Sequence, residues 1–115
     1  MHQTISLPCF ILAAGRGERM RPLTDSVPKP LLTIGNKSLL AWHLEALSKA
    51  DLKQVVINHA WLGDMIESAL GSGEQFNVAI TYSPEKTALE TAGGIVKALP
   101  LLAPLDYFLV INGDV

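Results

Sequence analysis

Four apolar runs rich in β-branched residues, Leu7 to Leu12, Gln54 to Asn58, Val78 to Tyr82 and Tyr107 to Ile111, alternate along this chain with segments patterned as helices. That alternation constrains the fold more than any other feature. A helix between two strands carries the chain back across the sheet, so the strands pair in parallel and the helices cover both sheet faces. The expected fold class is α/β: a Rossmann-like doubly wound, mainly parallel sheet. Ser38 is placed to cap a helix that runs to Ala50, with Leu39, Leu40, His43, Leu44 and Leu47 on one face. A second helix is predicted over Leu62 to Leu70, with Met65, Ile66, Ala69 and Leu70 inward and Gly71 as its stop. The third is predicted over Thr91 to Leu99, ending at Pro100.

The first strand runs into Leu12-Ala-Ala-Gly-Arg-Gly-Glu-Arg-Met-Arg-Pro-Leu-Thr24, followed by Lys29-Pro30. In an open α/β sheet, ligands bind at the carboxyl ends of the strands, where this turn falls. Gly15 and Gly17 allow a tight turn whose N–H groups can approach anionic oxygens. Four of the nine Lys and Arg residues, Arg16, Arg19, Arg21 and Lys29, lie in the same short stretch. A phosphate chain is the ligand that this combination suits. Met20 stands where the dinucleotide fingerprint requires a small residue, and no Gly-Lys-Ser/Thr follows, so neither the NAD-type turn nor the Walker loop fits.

The basic cluster is local, for the net charge is −2 over 115 residues. No overall field draws the chain to nucleic acid or to an anionic membrane. The single cysteine, Cys9, lies in the first apolar run and reads as a small core residue. With no disulfide framework, no secretory leader and no apolar stretch near the ~20 residues that span a bilayer, the expected location is cytoplasmic. The last residues, Leu109 to Val115, take a strand into a Gly-Asp turn. A domain ending inside its own site reads as truncated, and a truncated sheet would offer an unpaired edge for self-association.

The turn closely resembles the signature of the sugar-phosphate nucleotidyltransferase family, Gly-x-Gly-x-Arg-Leu/Met-x-Pro-Leu-Thr and then Pro-Lys-Pro. Further matches follow in order: Asn58-His-Ala-Trp-Leu-Gly63, Tyr82-Ser-Pro-Glu85 with Leu89-Glu-Thr-Ala-Gly-Gly94, and Asn112-Gly-Asp114. Together they cover almost the whole chain, and their flavour is that of the muramate-type uridylyl enzymes of bacterial peptidoglycan recycling. The resemblance implies transfer of a nucleotidyl group from an NTP, UTP in that branch, to a sugar 1-phosphate such as N-acetylmuramate 1-phosphate, with release of pyrophosphate and use of Mg²⁺. Residues 1–115 then correspond to the nucleotide-binding half of such a domain.

By the same resemblance, Arg19 is the catalytic arginine that offsets charge on the leaving pyrophosphate, and Lys29 meets the α-phosphate or the sugar phosphate. Asp114 is the implied Mg²⁺ ligand. Ala13, Ala14, Gly15 and Gly17 would line the nucleotide, with Glu85 at the base edge and Gly93 in the facing loop. Glu90, where many thymidylyl and guanylyl relatives carry Gly, favours UTP. Arg16 and Arg21 read either as phosphate contacts or as solvated loop charges, His43 and His59 as packing residues, and Trp42 and Trp61 as core or interface bodies. Two other functions stay open: a mannose- or glucose-1-phosphate guanylyl- or thymidylyltransferase, and a nucleotide-binding module without catalysis.

Overall fold

The computed structural model describes residues 7–87, 89, 91–102 and 107–113. In chain order the chain forms strand β1 (Cys9–Leu12), three single 3-10 turns (Glu18–Met20, Leu23–Asp25, Lys29–Leu31) and a small hairpin of β2 (Thr33–Ile34) and β3 (Lys37–Ser38). Helix α1 (Leu39–Lys49), strand β4 (Gln54–His59), helix α2 (Gly63–Leu70) and another 3-10 turn (Glu74–Phe76) come next. Strand β5 (Ala79–Pro84), helix α3 (Thr91–Leu102) and strand β6 (Leu109–Asn112) complete the described elements. The larger sheet has the order β5-β4-β1-β6 with every pairing parallel. From β1 the chain builds outward through β4 to β5, then returns to the other side of β1 to lay down β6. The strand order therefore reverses between β1 and β6, where such sheets open a crevice at the carboxyl ends of their strands.

The doubly wound expectation holds because alternate residues of the central strands enter two separate cores. Cys9, Ile11, Val55 and Ile57 pack with Leu40, Leu44 and Leu47 of α1 and Ile66 and Leu70 of α2. Phe10 and Val56 face the other way, against Ala98 and Leu102 of α3. Strands buried on both faces read as unbroken apolar runs, and each fully buried Leu, Ile or Phe contributes about 1.5–3 kcal/mol. Burial also pushes the Cys9 thiol upward in pKa, so its place in β1 is that of an inert core residue.

Ser38 caps α1 as expected, its side chain accepting from the Ala41 N–H. Two expectations need correction. Helix α3 does not stop before Pro100 but runs to Leu102: a proline in the last turn removes only one helical hydrogen bond, and continuing buries Leu102 in the second core. In α2 only Ile66 and Leu70 reach the core, while Met65 and Ala69 are exposed. The helix has eight residues and meets the sheet along a single i, i+4 line. Trp42 lies outside the core over the β2–β3 hairpin, donating from Nε1 to the Ile34 carbonyl at 2.9 Å with the Lys37 ammonium 4.5 Å from its ring. Among the described residues no helix is long and apolar enough to cross a membrane.

Candidate active site

The turn between β1 and the Lys29 segment sits at the carboxyl end of β1, beside the strand-order reversal. Ala13 and Ala14 are buried as the chain leaves the sheet, whereas Gly15 is exposed. Gly17 has φ 71°, and a Cβ built on it would lie 2.8 Å from Thr24 Cγ2 and 3.2 Å from Lys29 Cβ. Glycine is required there both for the left-handed backbone and for contact with the Lys29 stem. Gly15 has neither reason, for its φ is ordinary and a Cβ would meet nothing within 4 Å. The side chain it lacks would project into open space outside the protein.

Among the described residues the N–H groups of Ala14, Gly15, Arg16 and Gly17 donate to no protein acceptor. Consecutive unpaired N–H groups in a turn form a concavity suited to anions. The turn is held open by its own residues. Thr24, fully buried, donates from Oγ1 to the Gly17 carbonyl at 2.7 Å, and Pro28 and Pro30 are buried beneath the Lys29 segment. The Pro-Leu-Thr and Pro-Lys-Pro parts of the signature are thus largely scaffold.

Its cations divide sharply. Arg16 donates to the Thr24 carbonyl and hydroxyl and to Asp25 Oδ1 at 2.7 Å, with its guanidinium 3.9 Å from the centre of the Trp61 ring. Trp61 completes the clasp by donating from Nε1 to the same Thr24 carbonyl at 2.7 Å. Arg21 shares Asp25 Oδ1 at 2.9 Å and lies 3.6 Å from Glu18. Arg19, in contrast, is exposed and meets no carboxylate among the described residues. Lys29, half-buried, starts the third 3-10 turn against Gly17.

The Arg16 hydrogen bond, with Arg21 beside it, holds the Asp25 carboxyl below the usual range for an aspartate. A depressed pKa means that the clasp is intact above the ordinary value of about 3.9 and is lost as pH falls through the folded one. We therefore expect the Trp61 indole N–H resonance to keep its folded position at pH 4 and to shift only below the ordinary aspartate value. A midpoint at or above that value would contradict the clasp.

Three further positions of the signature meet behind the turn. Asn58, at the end of β4, accepts the Ala13 N–H on Oδ1 at 2.6 Å and donates from Nδ2 to Glu85 Oε2 at 3.2 Å. Glu85 is 6% exposed, and its other oxygen accepts the Leu89 N–H at 2.9 Å. Both oxygens that the resemblance would turn toward a base edge are therefore engaged by the protein. Gly93 lies in the first turn of α3, where its Cβ position is 3.1 Å from Leu89. It is Gly94 that packs against the buried pair, where an added Cβ would lie 2.8 Å from Asn58 Nδ2. In the sequence Asn58 and Gly94 carry no individual role and Trp61 reads as a core or interface body, although all three stand inside the quoted motifs. His59 packs as expected, with Nε2 2.5 Å from Glu67 and its ring near Tyr82, whose burial pushes that phenol up to about 12.

Asp114 and Glu90 lie outside the described residues. The chain reaches Gly113 beside the turn, its N–H donating to the Leu12 carbonyl at 2.9 Å. Among the described residues no group of three or more His, Cys, Asp or Glu side chains could hold a metal ion.

Comparison with known proteins matches residues 9–115 to the family model for nucleotidyl transferases. The chain belongs to that family. It is 60% identical over 110 residues to an N-acetylmuramate alpha-1-phosphate uridylyltransferase of Neisseria meningitidis, covering 95% of this chain and 47% of that protein. It is 40% identical over 111 residues to a mannose-1-phosphate guanylyltransferase catalytic subunit beta of Xenopus tropicalis, covering 95% of this chain and 31% of that one. Among solved structures, HddC from Yersinia pseudotuberculosis complexed with GMP-PN superposes with a TM-score of 0.83 at 27% identity, over 94% of this chain and 48% of HddC. This nucleotidyl transferase chain thus spans less than half the length of these relatives.

Proposed function

We propose that the protein to which this chain belongs transfers a uridylyl group from UTP to a sugar 1-phosphate, N-acetylmuramate 1-phosphate in the first instance, and that residues 1–115 supply the nucleotide-binding half of the site. The observation that carries this reading is the division at the switch-point turn: Arg16 and Arg21 are tied to Asp25, while among the described residues Arg19 and four consecutive N–H groups have no protein partner. A turn whose donors are built and left unspent suits an anionic chain. The choice of uridylyl and of the muramate sugar follows the 60% identical relative.

In the reaction, a phosphate oxygen of the sugar 1-phosphate attacks the α-phosphorus of UTP in line. The new O–P bond gives the UDP-sugar as the bond to the β-phosphate oxygen breaks and pyrophosphate departs with its electron pair. Bringing two polyanions together requires fixed positive charge and orientation more than covalent chemistry. The Ala14–Gly17 N–H groups would hold the phosphates, Gly15 would admit close approach, and Arg19 would take the charge that grows on the leaving group. Lys29 would face the reacting phosphate. Mg²⁺ arriving with UTP would be held by Asp114 and supply further neutralisation of the phosphates. A single candidate carboxylate fits the magnesium habit of keeping substrate oxygens and water as its other ligands. We place such chemistry in peptidoglycan recycling in the cytoplasm, and Leu109 and Val110, exposed on β6 at the edge of the described sheet, are where self-association would occur.

A pyrophosphate-release assay on the intact protein tests the reading. UTP with N-acetylmuramate 1-phosphate is expected to release pyrophosphate, and chelation by EDTA to abolish the release. Faster release from GTP with mannose 1-phosphate, or from dTTP with glucose 1-phosphate, would reassign the substrates. No release from any pair would remove the activity.

A further inference from the structure

The nucleotide-binding reading leaves one group unexplained: a buried carboxylate, Glu85, that meets no cation among the described residues. Burying a carboxylate without a counter-charge is costly, so its hydrogen bonds must do something that a smaller residue would not. Its partners are Asn58 Nδ2 and the Leu89 N–H, and Asn58 in turn holds the Ala13 N–H. Gly94 closes over the pair so tightly that a Cβ would lie 2.8 Å from Asn58 Nδ2 and 3.2 Å from Glu85 Oε2. The chain Ala13–Asn58–Glu85–Leu89 is thus one connected network, buried at Asn58 and Glu85, that links three segments distant in sequence.

An amide has two ends of opposite polarity, and a carboxylate can only accept. With Glu85 beside it, Asn58 must turn its NH₂ toward Glu85 and its carbonyl toward Ala13. We propose that Glu85 is a positioning residue: by fixing the orientation of the Asn58 amide it anchors the Ala13 peptide and so sets the direction in which the following Ala14–Gly17 N–H groups face the phosphates. Glu85 then acts through Asn58 on the phosphate grip, for any base. This deepens the nucleotide reading and rests on it for the ligand; the network itself can be tested without ligand.

Four variants separate the two amide orientations. Glu85→Leu removes the acceptor and frees the amide to flip. Glu85→Gln keeps it, because its carbonyl can turn to Asn58 at the expense only of the Leu89 N–H, which belongs to an exposed residue. Asn58→Asp places a second acceptor against Glu85, and combining it with Glu85→Gln restores a donor between the two acceptors of residue 58 and its neighbours. Two readouts on the intact protein suffice: amide exchange at Ala13 without ligand, and affinity for inorganic tripolyphosphate, UTP and GTP. Exchange at Ala13 should quicken on the order of ten-fold in Glu85→Leu and Asn58→Asp, with affinity for all three ligands falling by a similar factor. Both readouts should stay near wild type in Glu85→Gln and return there in the double variant. The Asn58→Asp pair keeps the test decisive if Glu85→Leu does not fold. Unchanged tripolyphosphate affinity in the single variants, or no recovery in the double variant, would overturn the proposal. So would a Glu85→Gln change confined to the UTP-to-GTP preference, which would mark a base contact. If the wild-type protein binds none of the three ligands, the nucleotide reading fails, and Ala13 exchange alone decides whether Glu85 orients Asn58.

Discussion

Replacing Arg19 by alanine is expected to slow nucleotidyl transfer roughly 100- to 1,000-fold, the usual cost of removing one donor aimed at developing charge. Stability should move by less than about 0.5 kcal/mol, as for an exposed side chain. The contrast with its neighbours makes the prediction specific. Arg16 is committed to Thr24, Asp25 and Trp61 and Arg21 to Asp25, so their removal would loosen the turn as well as the charge. Among the described residues Arg19 has no such commitment. Kinetics of Arg19→Ala beside denaturant unfolding would show whether activity and stability separate; a loss of both in proportion would make Arg19 a structural residue. Arg19→Lys should recover only part of the rate, because an ammonium lacks the planar fork of donors.

Replacing Gly63 by alanine should have the largest effect on stability. A Cβ there would lie 1.9 Å from His59 Nδ1 and 2.6 Å from its Cγ. The ring cannot simply swing away, since it is 5% exposed and its Nε2 is 2.5 Å from Glu67. Overpacking of this kind costs about 1–3 kcal/mol, and the close approach places Gly63→Ala at the upper end. The double variant Gly63→Ala, His59→Ala should regain part of the loss, because the added methyl then fills vacated space. Urea unfolding of both checks this. A Gly63→Ala protein as stable as wild type would mean that His59 does not occupy the position assigned to it.

Gly63 and the arginines of the turn separate what the sequence shows from what only the fold shows. The sheet was legible because β1 and β4 are buried on both faces, which leaves unbroken apolar runs, and because Ser38 carries a cap at the start of a periodic segment. The phosphate turn was legible by spacing. Which arginine stands free within it was not, for that depends on Asp25 and on Trp61 from a loop 37 residues beyond Thr24. Likewise, the Asn58 to Gly63 motif was recognisable as a pattern, but its physical content is tertiary: Asn58 clamps Ala13, Trp61 stacks on Arg16, and Gly63 makes room for His59. Pro100 misled because local propensity signals a stop, whereas burial of Leu102 extends the helix past it. Glu85 stands in its motif as an acceptor for a base edge, and only the fold reveals its two partners.

The central claim is that the turn from Ala13 to Gly17 grips the phosphates of the nucleotide. Titrating the intact, isotopically labelled protein with UTP while following backbone amide resonances tests it most directly. The largest shifts are predicted at Ala14, Gly15, Arg16 and Gly17, and tripolyphosphate should reproduce them without the base. Shifts centred elsewhere, such as the depression of about 370 Å³ at the opposite strand ends near Lys53, Glu74 and Asn77, with the turn unmoved, would contradict the account.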